Sequence, residues 1–132
     1  MTTNQSPLEH EEQSAFVDWL EVQGLLFTAT AQSTYTTSFN QKRRNKAAGV
    51  RKGFPDMIVI IPPDKSIDGD GYLIGVEMKR IRGGVVSTEQ RVWIDTMNSL
   101  GVNNIAAYVC KGAESAIKVV SHYLCKVDNS PF

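Results

Sequence analysis

A chain of 132 residues, 42% of them apolar, suffices for one compact domain around a single core and is too short for two. It holds no apolar run near membrane-spanning length, and its start lacks the basic, apolar, small-residue order of a signal peptide, so a cytoplasmic protein is expected. A formal net charge of zero argues against a surface coated by polyanions, although the charges are unevenly placed.

Residues 1–7 and the tail "VDNSPF" (127–132) are expected to be flexible ends of a single domain spanning 1–132. The first element is "PLEHEEQSAFVDWLEVQG", in which Phe16, Trp19, Leu20 and Gln23 follow helical spacing, the acids suit the first turn and Gly24 stops the helix. "LLFTATA" reads as a short strand, "QSTYTTSFNQ" as a polar stretch, and "KRRNKAAG" as a short helix ended by Gly49. Before Lys42 the only ionised side chains are Glu9, Glu11, Glu12, Asp18 and Glu21. From there Lys42, Arg43, Arg44, Lys46, Arg51 and Lys52 follow without an acid among them. Bases set beside carboxylates suit a protein that holds phosphate and a metal together; the plain alternative is a solvated helix face.

"GFPD" is a turn that delivers Asp56 to the mouth of "DMIVII", a buried strand that Pro62 and Pro63 cannot continue. "DKSIDGDG" is a surface loop and "YLIGVEMKRI" the next strand, making a long-looped hairpin the simplest link. "STEQRVWIDTMNSLG" opens with a capping box, Ser87 with Gln90, and ends at Gly101, with Trp93, Met97 and Leu100 as its expected buried stripe. "NIAAYVC" is a further strand and "AESAIKVVSHYL" the last helix. Strand, helix, strand favours a right-handed parallel crossover, so the fold class is α/β with a mixed sheet flanked by helices.

Alternation along the strand from Tyr72 puts Leu73, Gly75, Glu77 and Lys79 on one face and Tyr72, Ile74, Val76 and Met78 on the other. Glu77 and Lys79 are thus same-face neighbours about 6 to 7 Å apart along the strand. Charges in an otherwise apolar strand cost desolvation unless partnered. Asp56 on the neighbouring strand can supply a second carboxylate, and two carboxylates so close repel unless a cation lies between them. Oxygen ligands with room for water suit Mg2+ or Mn2+. The bland alternative is a surface Glu–Lys pair on an exposed sheet edge and a turn aspartate.

"EHEEQSAFVDWL", "GFPDMIVI", "GVEMKRIRGG" and "STEQRVWIDTMNSLG" together resemble the virus-type replication-repair nuclease (VRR-NUC) domain of the PD-(D/E)XK nuclease superfamily, in the family's order and over nearly the whole chain. The resemblance implies a restriction-endonuclease-like αβββαβ core. It implies Asp56 and Glu77 as metal ligands with the backbone carbonyl of Met78, Lys79 as the catalytic lysine, and Gln90 as the glutamine of the following helix. It makes Glu12 the additional helix-one carboxylate and ligand, with Glu9 as its rival. The activity implied is that of a Mg2+- or Mn2+-dependent DNA endonuclease in replication, repair or phage DNA processing, in a bacterium or a phage-infected host cell. Selectivity for branched DNA, in the manner of a Holliday-junction resolvase, and a homodimer follow by analogy, with Phe54 or Tyr123 as exposed aromatics for the dimer surface. The bases Lys42, Arg43, Arg44, Lys46, Arg51, Lys52, Arg80 and Arg82 would bind DNA. The competing function is a noncatalytic DNA-binding module with the nuclease fold; a protein-interaction factor has only the neutral charge in its favour.

Three other signals weigh less. "SIDGDGYLIGVE", Ser66 to Glu77, matches an EF-hand loop at Asp68, Asp70, Gly71 and Glu77, but its flanks read as strands. Cys110 and Cys125 have no CxxC pairing and no His at zinc spacing, and read as reduced thiols. His10 and His122 read as surface residues, and Trp93 as core.

Overall fold

The computed structural model describes residues 9–30 and 38–129. Helix α1 (Glu9–Gln23) buries Phe16, Trp19 and Leu20, the stripe its spacing predicts. β1 (Leu26–Ala29) pairs antiparallel with β2 (Met57–Ile61), and β2 antiparallel with β3 (Tyr72–Lys79). After helix α3 (Thr88–Asn98), β4 (Ile105–Lys111) lies parallel to β3. The mixed sheet has the order β1-β2-β3-β4. Helix α2 (Phe39–Ala47) is inserted between β1 and β2, and α4 (Ala113–Ser121) follows β4. Without α2 and α4 the order is the αβββαβ core expected from sequence.

The core fills the face of the sheet covered by α1 and α4. Met57, Val59, Ile61, Ile74, Val76 and Met78 are fully buried there, against Phe16, Leu20, Ala116 and Val120. Each such aliphatic side chain contributes about 1.5–3 kcal/mol on burial. On the opposite face the Pro55 ring and the Met97 methyl close over Gly75, within 3.2–3.3 Å of where a β-carbon would stand. Asn98 at the end of α3 hydrogen-bonds both backbone groups of Ala107 in β4, covering part of an otherwise open strand edge.

Some expectations need correction. In α3 the buried residue is Ile94, while Trp93 and Met97 are half-buried and Leu100 is 54% exposed. The helix ends at Asn98, so Leu100 falls outside its periodicity, and the Trp93 indole turns aside to donate to the Lys52 carbonyl. Phe54 and Tyr123 are half-buried rather than exposed: Phe54 meets Trp93 edge-on at 4.9 Å, and Tyr123 packs at 4.8 Å against Tyr72. The helix read from "KRRNKAAG" starts earlier, where Ser38 caps it by accepting from the Gln41 N–H. It buries no side chain, and Arg43 lies over the Phe39 ring at 5.4 Å.

The Ser66–Glu77 stretch links two strands. Asp68 closes the loop by accepting from Ser66, the Asp70 N–H and Tyr72, and Glu77 lies inside β3. Cys110 and Cys125 are free, and burial pushes the Cys110 thiol up to about 11. At the tail, Val127 packs on the core and the Asp128 backbone exchanges two hydrogen bonds with the Gln23 amide. Residues 1–7 and 130–132, as well as 31–37 of the polar stretch, lie outside the described residues. None of the described helices is long and apolar enough to cross a membrane.

Candidate active site

The strand register builds the site. Met57 pairs with Val76, so Asp56 and Glu77, each one residue further along, stand opposite one another at the end of the β2–β3 hairpin. β3 is an inner strand, which removes the reading of Glu77 and Lys79 as a pair on an exposed edge: they are 1% and 7% exposed. Asp56 is oriented by the Met78 N–H, which donates to its Oδ2 at 2.8 Å. The turn that delivers it is held from the residue after β1: the Thr30 hydroxyl donates to the Pro55 carbonyl at 2.6 Å and the Thr30 N–H to the Asp56 carbonyl at 2.7 Å. Nothing in the sequence singles out Thr30, since its bonds depend on the β1–β2 register.

Glu77 has one oxygen engaged and one free. Its Oε2 accepts from the Gln90 amide at 2.7 Å and lies 3.6 Å from Lys79 Nζ. Its Oε1 is buried and lacks a hydrogen-bond partner among the described residues. Gln90 makes two contacts at once: its Oε1 accepts from the Ser87 N–H in the capping box while its amide nitrogen donates to Glu77.

Of the helix-one acids, Glu9 is the one that lies beside Asp56 and Glu77. Oxygens of Glu9, Asp56 and Glu77 all lie within 4.8 Å of one another. Glu12, the first choice by resemblance, turns to the N-terminus of α4, where its Oε1 accepts from the Ala113 N–H at 2.7 Å. Glu9 and Glu12 are three residues apart on one helix face, so spacing alone could not separate them.

The electrostatics follow from burial. Loss of solvent pushes the Glu77 carboxyl up to about 8, reinforced by the Asp56 charge and opposed by Lys79. Asp56 is raised by burial against the pull of its bond from Met78, and Glu9 by burial against the Lys79 charge. Three carboxylates at this separation ionise together only if a cation offsets their repulsion. The donor set fits one: the oxygens are hard, they converge, and Glu77 Oε1 is buried without a hydrogen-bond partner among the described residues.

Part of the basic run lines a cleft. Lys42, Lys46, Arg51 and Lys52 line a cleft of about 520 Å³ with Asn45 and Glu89. This segment touches the site through Gly53, whose backbone packs directly on Glu89 and Gln90. Arg43 and Arg44 are exposed on α2, as are Arg80 and Arg82 in the segment after Lys79. Arg51 also closes the end of α2, donating to the Lys46 and Val50 carbonyls.

The VRR-NUC domain family model matches residues 2–114 of the chain. A solved VRR_NUC domain protein superposes with a TM-score of 0.68 at 19% identity, covering 91% of this chain and 90% of that one. A search of curated proteins returns no match.

Proposed function

The chain belongs to the VRR-NUC domain family of nucleases, and from that premise we propose that it is a divalent-metal-dependent DNA endonuclease hydrolysing phosphodiester bonds. The observation that carries the reading is the convergence of Glu9, Asp56 and Glu77, whose oxygens lie within 4.8 Å of one another beside a buried lysine, with Glu77 Oε1 buried and without a hydrogen-bond partner among the described residues. Glu9, Asp56 and Glu77 would hold Mg2+ or Mn2+, with the Met78 carbonyl as a further ligand. Such an ion, when bound, acidifies water and offsets charge developing on a nonbridging phosphate oxygen.

The chain's own groups do the remainder. Gln90 fixes one oxygen of Glu77 and so holds its carboxylate in place within the cluster. The Met78 N–H fixes Asp56 in the same way. Lys79 lies near enough to Glu77 to orient a water for attack and to stabilise the negative transition state. Lys42, Arg43, Arg44, Lys46, Arg51 and Lys52, with Arg80 and Arg82, would grip the phosphate backbone without reading bases. For a domain this small, selectivity for DNA shape, with branched or junction DNA as substrate and a homodimer as the working unit, completes the proposal.

The test incubates labelled linear, nicked, flapped and four-way DNAs with the protein in Mg2+, Mn2+, Ca2+ or excess EDTA. Mg2+ or Mn2+ should support cutting, Ca2+ little, and branched DNA should be cut first. Glu77→Ala and Lys79→Ala should bind DNA and not cut it. Undiminished cutting in EDTA, or wild-type turnover in either variant, would overturn the reading; binding without cutting by the wild type would favour a noncatalytic DNA-binding module.

A further inference from the structure

The N-cap of helix α4 is Gly112, a residue with no side chain to cap it. The cap comes from across the fold. Glu12 of α1, 8% exposed, accepts from the Ala113 N–H at 2.7 Å, where a carboxylate meets both an unpaired donor and the positive end of the helix dipole. The preceding amide, Gly112 N–H, donates to the Lys79 carbonyl at 2.8 Å. Two adjacent backbone amides therefore tie α1 to the end of β3, the strand that carries Glu77 and Lys79. The tie falls one helical turn from Glu9, at the start of α1.

We propose that Glu12 is a positioning residue: through the start of α4 it locks the first turn of α1 to the end of β3, so that Glu9 reaches the carboxylate cluster. The proposal rests on the metal-site reading above and assigns Glu12 no contact with the ion or the DNA. It explains why a buried carboxylate is needed beyond the three that converge. Glu9 is the first residue of its helix, and the Glu12 tie holds that turn to the sheet.

The test is titration of Mn2+ by calorimetry into wild-type protein and Glu12 variants, with circular dichroism and melting to report folding. Glu12→Gln keeps an acceptor oxygen at the same reach and should bind Mn2+ close to the wild type. Glu12→Asp keeps the charge but falls one methylene short, and with Glu12→Ala should lose about 10- to 100-fold in affinity. In a Glu9→Ala background the same substitutions should cost nothing further. A direct ligand or a purely electrostatic role predicts the reverse order, with Asp retained and Gln impaired, and that order overturns the proposal. So does a loss that persists in the Glu9→Ala background, or wild-type affinity in Glu12→Asp. Should Glu12→Ala fail to fold, the Gln and Asp pair decides alone. A wild-type protein that binds no Mn2+ overturns the metal-site reading and this inference together, whereas wild-type binding unaltered in Glu12→Asp overturns this inference only.

Discussion

Glu77 concentrates the cost of the site in one side chain. Burial, then the charges of Asp56 and Glu9, hold its carboxyl at about 8. The sign of the linkage follows: a carboxyl raised above its unfolded value of 4.5 binds its proton more tightly in the folded state. Its contribution is full below that unfolded value and is lost as pH rises through the folded one. The metal-free protein should therefore melt at falling temperature from pH 5 to pH 8 in EDTA, as read by circular dichroism. Glu77→Gln should flatten that slope, and saturating Mg2+ should reverse it by replacing the proton. A slope unchanged in Glu77→Gln would assign it to other groups. Gln90 is separable from its capping partner by the same logic. Ser87→Ala loses the cap alone and should cost about 1 kcal/mol of stability with cleavage retained. Gln90→Ala should cost a similar amount and also reduce cleavage, because Glu77 Oε2 loses its donor. Chemical denaturation and single-turnover assays on both variants check the difference.

Among the elements, α3 joins the basic segment to the chemistry. Gly53 has φ +92°, and a β-carbon there would lie 2.5 Å from the Glu89 carbonyl carbon and 2.7 Å from the Gln90 nitrogen. Gly49 has φ +99° but nothing within 4 Å. Alanine at Gly49 should cost only the backbone strain, about 1–2 kcal/mol. Alanine at Gly53 should cost more, since backbone atoms must also move, and should displace the helix turn carrying Gln90. Urea melts of the two variants give the comparison, and equal losses would mean that the Gly53 contact relaxes freely. The same contact explains why α2 can bury no side chain and yet be tethered to the site: its anchor lies in the chain that follows it, through Gly53 and the bond from Trp93 to the Lys52 carbonyl.

Over the whole molecule a net charge of zero hides a division between an acidic first helix and a basic stretch of six cations from Lys42 to Lys52. If the basic stretch carries the phosphate backbone, each contact contributes about 0.9 to the log-log salt slope on duplex DNA. Neutralising Arg43 and Arg44 in a Glu77→Ala background should then flatten the slope by up to about 2, equally for all base sequences. An unaltered slope in binding assays across a salt series would move the DNA track to Arg80 and Arg82. What the sequence determined by itself was local: the period-two alternation that gave β3 a core face and a charged face, the capping box at Ser87 and the turn before Asp56, while the αβββαβ core was implied by the family resemblance. Such signals survive in sequence because each depends on residues two to four positions apart. Contacts between elements were decided only by the tertiary structure. Glu9 and Glu12 share a helix face, and what separates them is the start of α4, about a hundred residues away, which claims Glu12. Thr30 joined the site through strand register, and Ile94 rather than Trp93 became the buried residue of α3 because Lys52 takes the indole. Periodicity states which residues can face inward together; only the packed neighbour, drawn from anywhere in the chain, selects the one that does.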